Sequence, residues 1–95
     1  MKGMAIVEFR WNEWNREHAT KHGCTVPEIE MVVRNAGRGF PRYHRDGKYL
    51  VNGRGTGGRM VEVILIYDDR RPGDTGDTAY VVHAMPLTLR RRRGR

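Results

Sequence analysis

Residues 60–67, Met60-Val61-Glu62-Val63-Ile64-Leu65-Ile66-Tyr67, decide the fold class. The run is nearly continuous in apolar residues, so it reads as the central strand of a sheet. Upstream, Gly55-Thr56-Gly57-Gly58 reads as a turn joining Lys48–Arg54 to Arg59–Tyr67, and Arg45-Asp46-Gly47 as a turn joining Phe40–His44 to Lys48–Arg54. Downstream, Asp68–Thr78 (DDRRPGDTGDT) is an exposed polar loop whose proline and glycines forbid regular structure, and Tyr80–Met85 is the last strand. Four strands follow one another in the C-terminal part of the chain.

The N-terminal part has the helical period instead. Asn12 is an N-cap for a first helix over about 12–22, with Glu17 and Lys21 four apart in the favourable order and Gly23 at the stop. Thr25-Val26-Pro27-Glu28 opens a second helix with a capping Thr, a proline in the first turn, and Glu28 three residues on to close a capping box. Ile29, Val32 and Val33 then form an apolar stripe, and that helix ends near Asn35. Two helices followed by four strands make an α+β domain. Residues 1–89 form one domain and 90–95 a basic tail, with no repeat and no linker between domains.

A chain of 95 residues buries a modest core, which excludes a large enclosed pocket. No apolar run approaches the ~18 residues that cross a bilayer, and the apolar stretch after Met1-Lys2-Gly3-Met4 is too short for a signal peptide. The single Cys24 makes neither an internal disulfide nor a zinc knuckle and reads as a small buried residue. A cytoplasmic, membrane-free location is the expectation. The formal charge of +7 sits in two blocks: residues 34–59 carry seven bases against Asp46 alone, and residues 90–95 add five arginines. Such blocks suit a phosphate backbone, and equally a solvated face.

The order of elements and several local motifs resemble BrnT-type toxins. The resemblance rests on Phe9-Arg10-Trp11-Asn12, Asn15, Lys21-His22-Gly23 and the acidic start of the second helix. It continues through Tyr49-Leu50-Val51-Asn52-Gly53-Arg54 with its glycine turn and Arg59, the apolar strand, and Val82-His83-Ala84-Met85-Pro86-Leu87-Thr88 followed by arginines. Each motif is short; the series in consistent order carries the resemblance. It implies a RelE-like fold, two N-terminal helices packed on a four-stranded antiparallel sheet. It further implies a ribonuclease of a type II toxin–antitoxin system, neutralised by a small DNA-binding antitoxin and held, as a dimer in one arrangement, within the toxin–antitoxin complex. Two departures stand out: Met85 occupies a position that is commonly basic in the family, and arginines stand where the family continues into an acidic, tyrosine-containing helix. A degenerate toxin that binds RNA or protein without cutting is the alternative they suggest.

Metal-free RNA cleavage needs a base for the 2′-hydroxyl proton, an acid for the leaving 5′-oxygen, and cations against the phosphate. No cofactor and no metal are expected. His83 suits acid or base work because histidine titrates near neutrality. Glu62 is the only acid within the central strand and must be paired or lie on a wet face. Arg54 and Arg59 flank a glycine-rich turn that lets backbone approach a phosphate. Lys21 and His22 complete the catalytic set. Arg42, Tyr43, His44 and Arg45 interleave bases with aromatics and, with Lys48, Arg90 and Arg91, form the expected RNA-binding set.

If Gly55–Gly58 closes without a bulge, Arg54 lies opposite Arg59 and Glu62 takes the other face; a one-residue bulge reverses that. His18 and His22 stand four apart, as two ligands on one helix would, yet no third ligand follows and the stretch reads as a helix end. Trp11 and Trp14 read as core residues.

Overall fold

The computed structural model of the protein describes residues 8–68 and 78–87. In chain order they form β1 (Glu8–Phe9), α1 (Glu13–Thr20), α2 (Val26–Arg34), β2 (Arg42–Arg45), β3 (Lys48–Arg54), β4 (Met60–Tyr67) and β5 (Thr78–Pro86). The α+β class holds. The sheet has five strands in the order β1-β5-β4-β3-β2, and β4 is central. It is mixed, not wholly antiparallel, because the two-residue β1 runs parallel to β5, pairing Glu8 with Thr78 and Phe9 with Ala79. Two residues carry almost no periodicity, which is why the sequence reading has four strands. The tail, with Arg90 and Arg91, and most of the polar loop, 69–77, lie outside the described residues.

Local chemistry accounts for both helices. Asn12 accepts the Asn15 N–H at 3.0 Å, while the Asn15 side chain accepts the Asn12 N–H at 2.7 Å, a reciprocal cap that satisfies two otherwise orphaned donors. Asn15 is fully buried and its amide also donates to the carbonyls of Arg10 (3.1 Å) and Val81 (2.9 Å). One side chain thus caps α1 and fastens it to β5. α1 stops at Thr20, short of the expected 22, and Gly23 follows at φ +97°, a conformation that glycine adopts without strain. At α2, Thr25 accepts the Glu28 N–H at 3.3 Å, and proline occupies the first turn.

Ile29, Val32 and Val33 of α2 and Ala19 of α1 pack on Val51, Val61, Val63, Leu65, Tyr67, Ala79, Val81 and Ala84. The helices therefore cover one face of the sheet. Gly53 lies on that face, where an added Cβ would come within 3.2 Å of Val32 Cγ1. Cys24 is buried within this cluster. Trp11 packs against the core and donates its indole N–H to Glu30 at 2.8 Å. Trp14 departs from the expected core role: it is 51% exposed. Its position beside Asn15, one step off the buried stripe, turns it outward. Among the described residues no helix is long and apolar enough to cross a membrane.

Candidate active site

The β3–β4 connection determines what faces what. Gly55 N–H donates to the Arg59 carbonyl at 2.7 Å and Gly58 N–H to the Gly55 carbonyl at 3.0 Å, around a 3-10 turn at Thr56–Gly58 with Gly57 and Gly58 at positive φ. Arg59 is thereby drawn into the loop. Arg54 pairs with Met60, Gly53 with Val61 and Asn52 with Glu62. Of the two registers open from sequence, this is the one that puts Glu62 on the face of Arg54. Both point away from the helices, since Gly53 and Val61, one residue along, face them.

On the other side of β4, Glu62 pairs with Met85 and Ile64 with His83. Val82 is the extra residue of a bulge, since the next pair is Leu65 with Val81. The bulge keeps His83 on the Glu62 face, as its diagonal neighbour. His83 Nε2 lies 3.3 Å from Glu62 Oε2, with the two side chains 31% and 13% exposed. A carboxylate only accepts, so Nε2 carries the proton in this contact and Nδ1 is left as the basic nitrogen of the neutral ring. Burial pushes the His83 pKa below the usual histidine value, with His22 and Lys21 adding to the lowering, while Glu62 opposes it. The net direction is down. His83 is accordingly a neutral imidazole at physiological pH, held in one tautomer by a carboxylate.

His22 follows α1 and meets the His83 ring edge-on at 5.7 Å between centroids, and Lys21 is close enough to perturb it. Residues 21, 22, 62 and 83 are thus brought to one place, with Arg54 on the same face one diagonal step from Glu62. Arg54 Nη1 donates to the Gly58 carbonyl at 2.9 Å, which orients the guanidinium over the turn.

Arg59 is not brought to this cluster. It lies on the helix face, where Nε and Nη2 donate to the two oxygens of Glu28 at 2.9 and 2.7 Å, and Nη2 also donates to the Gly23 carbonyl at 3.1 Å. Glu28 is 3% exposed, and its carboxylate accepts a further bond from Thr56 N–H at 2.9 Å. The Arg59 bond, above all, holds the Glu28 carboxyl below the usual range against the opposing effect of burial. The expected capping side chain of α2 is instead the clamp of the glycine turn. An added Cβ at Gly55 would overlap the Glu28 carboxylate, so the turn fits that carboxylate only with glycine there.

The aromatic and basic set of β2 lies at the far edge of the sheet. All four residues Arg42–Arg45 are exposed; Arg42 stacks over Phe40 at 4.7 Å, and Tyr43 meets Tyr49 edge-on at 5.5 Å. A two-residue turn, Asp46-Gly47, with both residues at positive φ, returns the chain to Lys48. Three strand spacings, roughly 14 Å, separate β2 from β5. These residues flank the His83 cluster at a distance and do not join it.

One polar residue at the site escapes the sequence reading. Asn52 faces Glu62 directly across β3 and β4, and its buried Oδ1 has no hydrogen-bond partner among the described residues. Its signal is a polar residue inside an apolar strand at the same parity as Arg54. Among the described residues no group of three or more His, Cys, Asp or Glu side chains converges as metal ligands would. His18 stacks on Trp14 while His22 turns to His83. Against protein-family models, curated proteins and solved structures, the chain finds no significant match.

Proposed function

We propose that this protein is a metal-independent endoribonuclease, the toxin of a type II toxin–antitoxin pair, with a RelE-like arrangement and a cytoplasmic site of action on RNA. The observation that carries the reading is the Glu62–His83 pair at 3.3 Å, flanked by His22, Lys21 and Arg54. Nδ1 of neutral His83 takes the 2′-hydroxyl proton, and the 2′-oxygen attacks the adjacent phosphorus. Glu62 stabilises the imidazolium that forms and holds the ring in its tautomer. His22 is the acid that protonates the leaving 5′-oxygen. Lys21 and Arg54 set positive charge against the pentacoordinate phosphate. Arg59 acts through the loop, as a positioning residue. Arg42, Tyr43, His44, Arg45 and Lys48 hold the strand further along, and an antitoxin with acidic surface, alone or with a toxin dimer, covers the same basic face.

One observation favours a second reading. Met85, directly across from Glu62, puts a thioether where the resemblance places a cation. A chain lacking that cation binds RNA without cutting it. Induced expression of wild type beside His83→Ala, Glu62→Ala and Arg54→Ala separates the two, scored by growth and RNA integrity. Wild type arrests growth and degrades RNA, and His83→Ala does neither. If wild type leaves growth and RNA intact, the enzyme reading is lost; if His83→Ala remains fully active, the assignment of the base is lost.

A further inference from the structure

A second set of rings leads into the candidate site from one side of α1. Trp14 and His18 stand at i and i+4 on one flank of α1, next to the buried stripe of Asn15 and Ala19, and Lys21 and His22 follow just past the helix end. The indole of Trp14 and the imidazole of His18 are stacked, 3.9 Å between centroids and 21° between planes. The stack is fixed from below, because His18 Nδ1 lies 2.8 Å from the Trp14 carbonyl. A carbonyl only accepts, so Nδ1 donates. Trp14 is nonetheless 51% exposed.

Beside the stack lies an open recess of about 210 Å³ lined by Glu17, His18 and Lys21. It is smaller than the ~300–1,000 Å³ pockets that enclose whole small molecules, and it has room for a single planar ring. Its chemistry is mixed in a useful way. Lys21 attracts a phosphate, whereas the Glu17 carboxylate repels one and accepts from a ring amino group. An aromatic stack, a carboxylate and one cation suit a nucleobase whose own phosphate extends toward Lys21. Along the helix axis His18 is about 3 Å and Trp14 about 9 Å from Thr20, where α1 ends and the chain turns to His22. A stacked single strand covers that distance in a few nucleotides at ~3.4 Å each.

We propose that the Trp14–His18 stack is a nucleobase-binding platform, which takes an unpaired base of the strand whose backbone lies at the His83 cluster. The proposal rests on the ribonuclease reading for its ligand class. The platform supplies sequence-tolerant affinity by stacking, while Lys21 and the cluster beyond it supply the electrostatic share.

The test uses the full chain and a short 2′-O-methyl oligoadenylate, which has no 2′-hydroxyl to cleave, beside an abasic strand of equal length. Binding is read by anisotropy over a range of salt, together with tryptophan emission. The base-bearing strand quenches Trp14 and binds wild type more tightly than the abasic strand. Trp14→Ala loses that advantage, a loss of between roughly 5- and 150-fold, with the abasic affinity and the salt slope unchanged; Trp14→Phe retains most of it. Because Trp14 is half exposed, the circular dichroism of Trp14→Ala matches wild type. Equal binding of the two strands by wild type, or undiminished binding by Trp14→Ala, overturns the platform and leaves the RNA reading standing. Binding of neither strand overturns both.

Discussion

Replacing Arg59 by alanine tests the clamp that sets the register. The substitution removes both donors to Glu28 and the bond to the Gly23 carbonyl, leaving a carboxylate side chain 2% exposed with Thr56 N–H as its main partner. Stranding one half of a buried pair costs about 3–5 kcal/mol. The Arg59 side chain is 38% exposed, so water takes part of its place and the expected loss at pH 7 is about 2–3 kcal/mol. Urea unfolding followed by circular dichroism measures it directly. In thermal melts it corresponds to a fall of roughly 10–20 °C for a domain of this size. The pH dependence identifies the cause. In wild type the Glu28 pKa is lowered, chiefly by Arg59, so the stability it contributes is present above roughly pH 4.3 and fades as pH falls through the lower folded value. In Arg59→Ala the largest lowering influence is gone, and burial raises that pKa against the Thr56 and Thr25 backbone bonds alone. The gap between variant and wild type therefore narrows below roughly pH 4.3, where the stranded carboxyl is protonated. A loss under about 0.5 kcal/mol at pH 7, or one that does not shrink in acid, refutes the clamp, since it is then no more than an ordinary surface ion pair.

Other expectations follow from the same geometry. Gly55→Ala destabilises by about 1–3 kcal/mol in urea unfolding, because the new Cβ meets a carboxylate already pinned by Arg59 and Thr56; the backbone at φ −105° is compatible with alanine, so the loss is steric. Asn15→Ala costs about 2–4 kcal/mol, since its buried amide serves the α1 cap and the Val81 carbonyl together. On the ribonuclease reading, cleavage falls as pH drops through the His83 pKa, which lies below the usual ~6.5. Glu62→Gln removes the influence that raises that pKa, so the acidic limb moves to lower pH while the maximal rate falls.

Much of the fold is legible in the residues themselves. Asn12 and Thr25 cap the two helices because their short side-chain oxygens satisfy orphan N–H groups, and Met60–Tyr67 is the central strand because so continuous an apolar run has to be covered. His83 and Glu62 also stand out by type, as ionisable residues in strands. Their meeting does not. It needs a bulge at Val82, and Arg54 joins their face only through a turn that draws Arg59 into the loop; glycine-rich backbone adopts several turns of similar energy until something outside it chooses.

That choice is made by Glu28, which lies 31 residues before Arg59 and reads from sequence as a capping residue. The same limit hides the outward turn of Trp14 and the fifth strand, since the first depends on which flank α1 lays on β5 and the second on two residues of pairing. Sequence alone determined the two helices, the four longer strands, the helix caps and the residues able to do chemistry, because those follow from interactions within a few residues. The tertiary structure decided which of them meet: register, ion-pair partners and exposure are set by contacts between distant segments, and no local pattern encodes them.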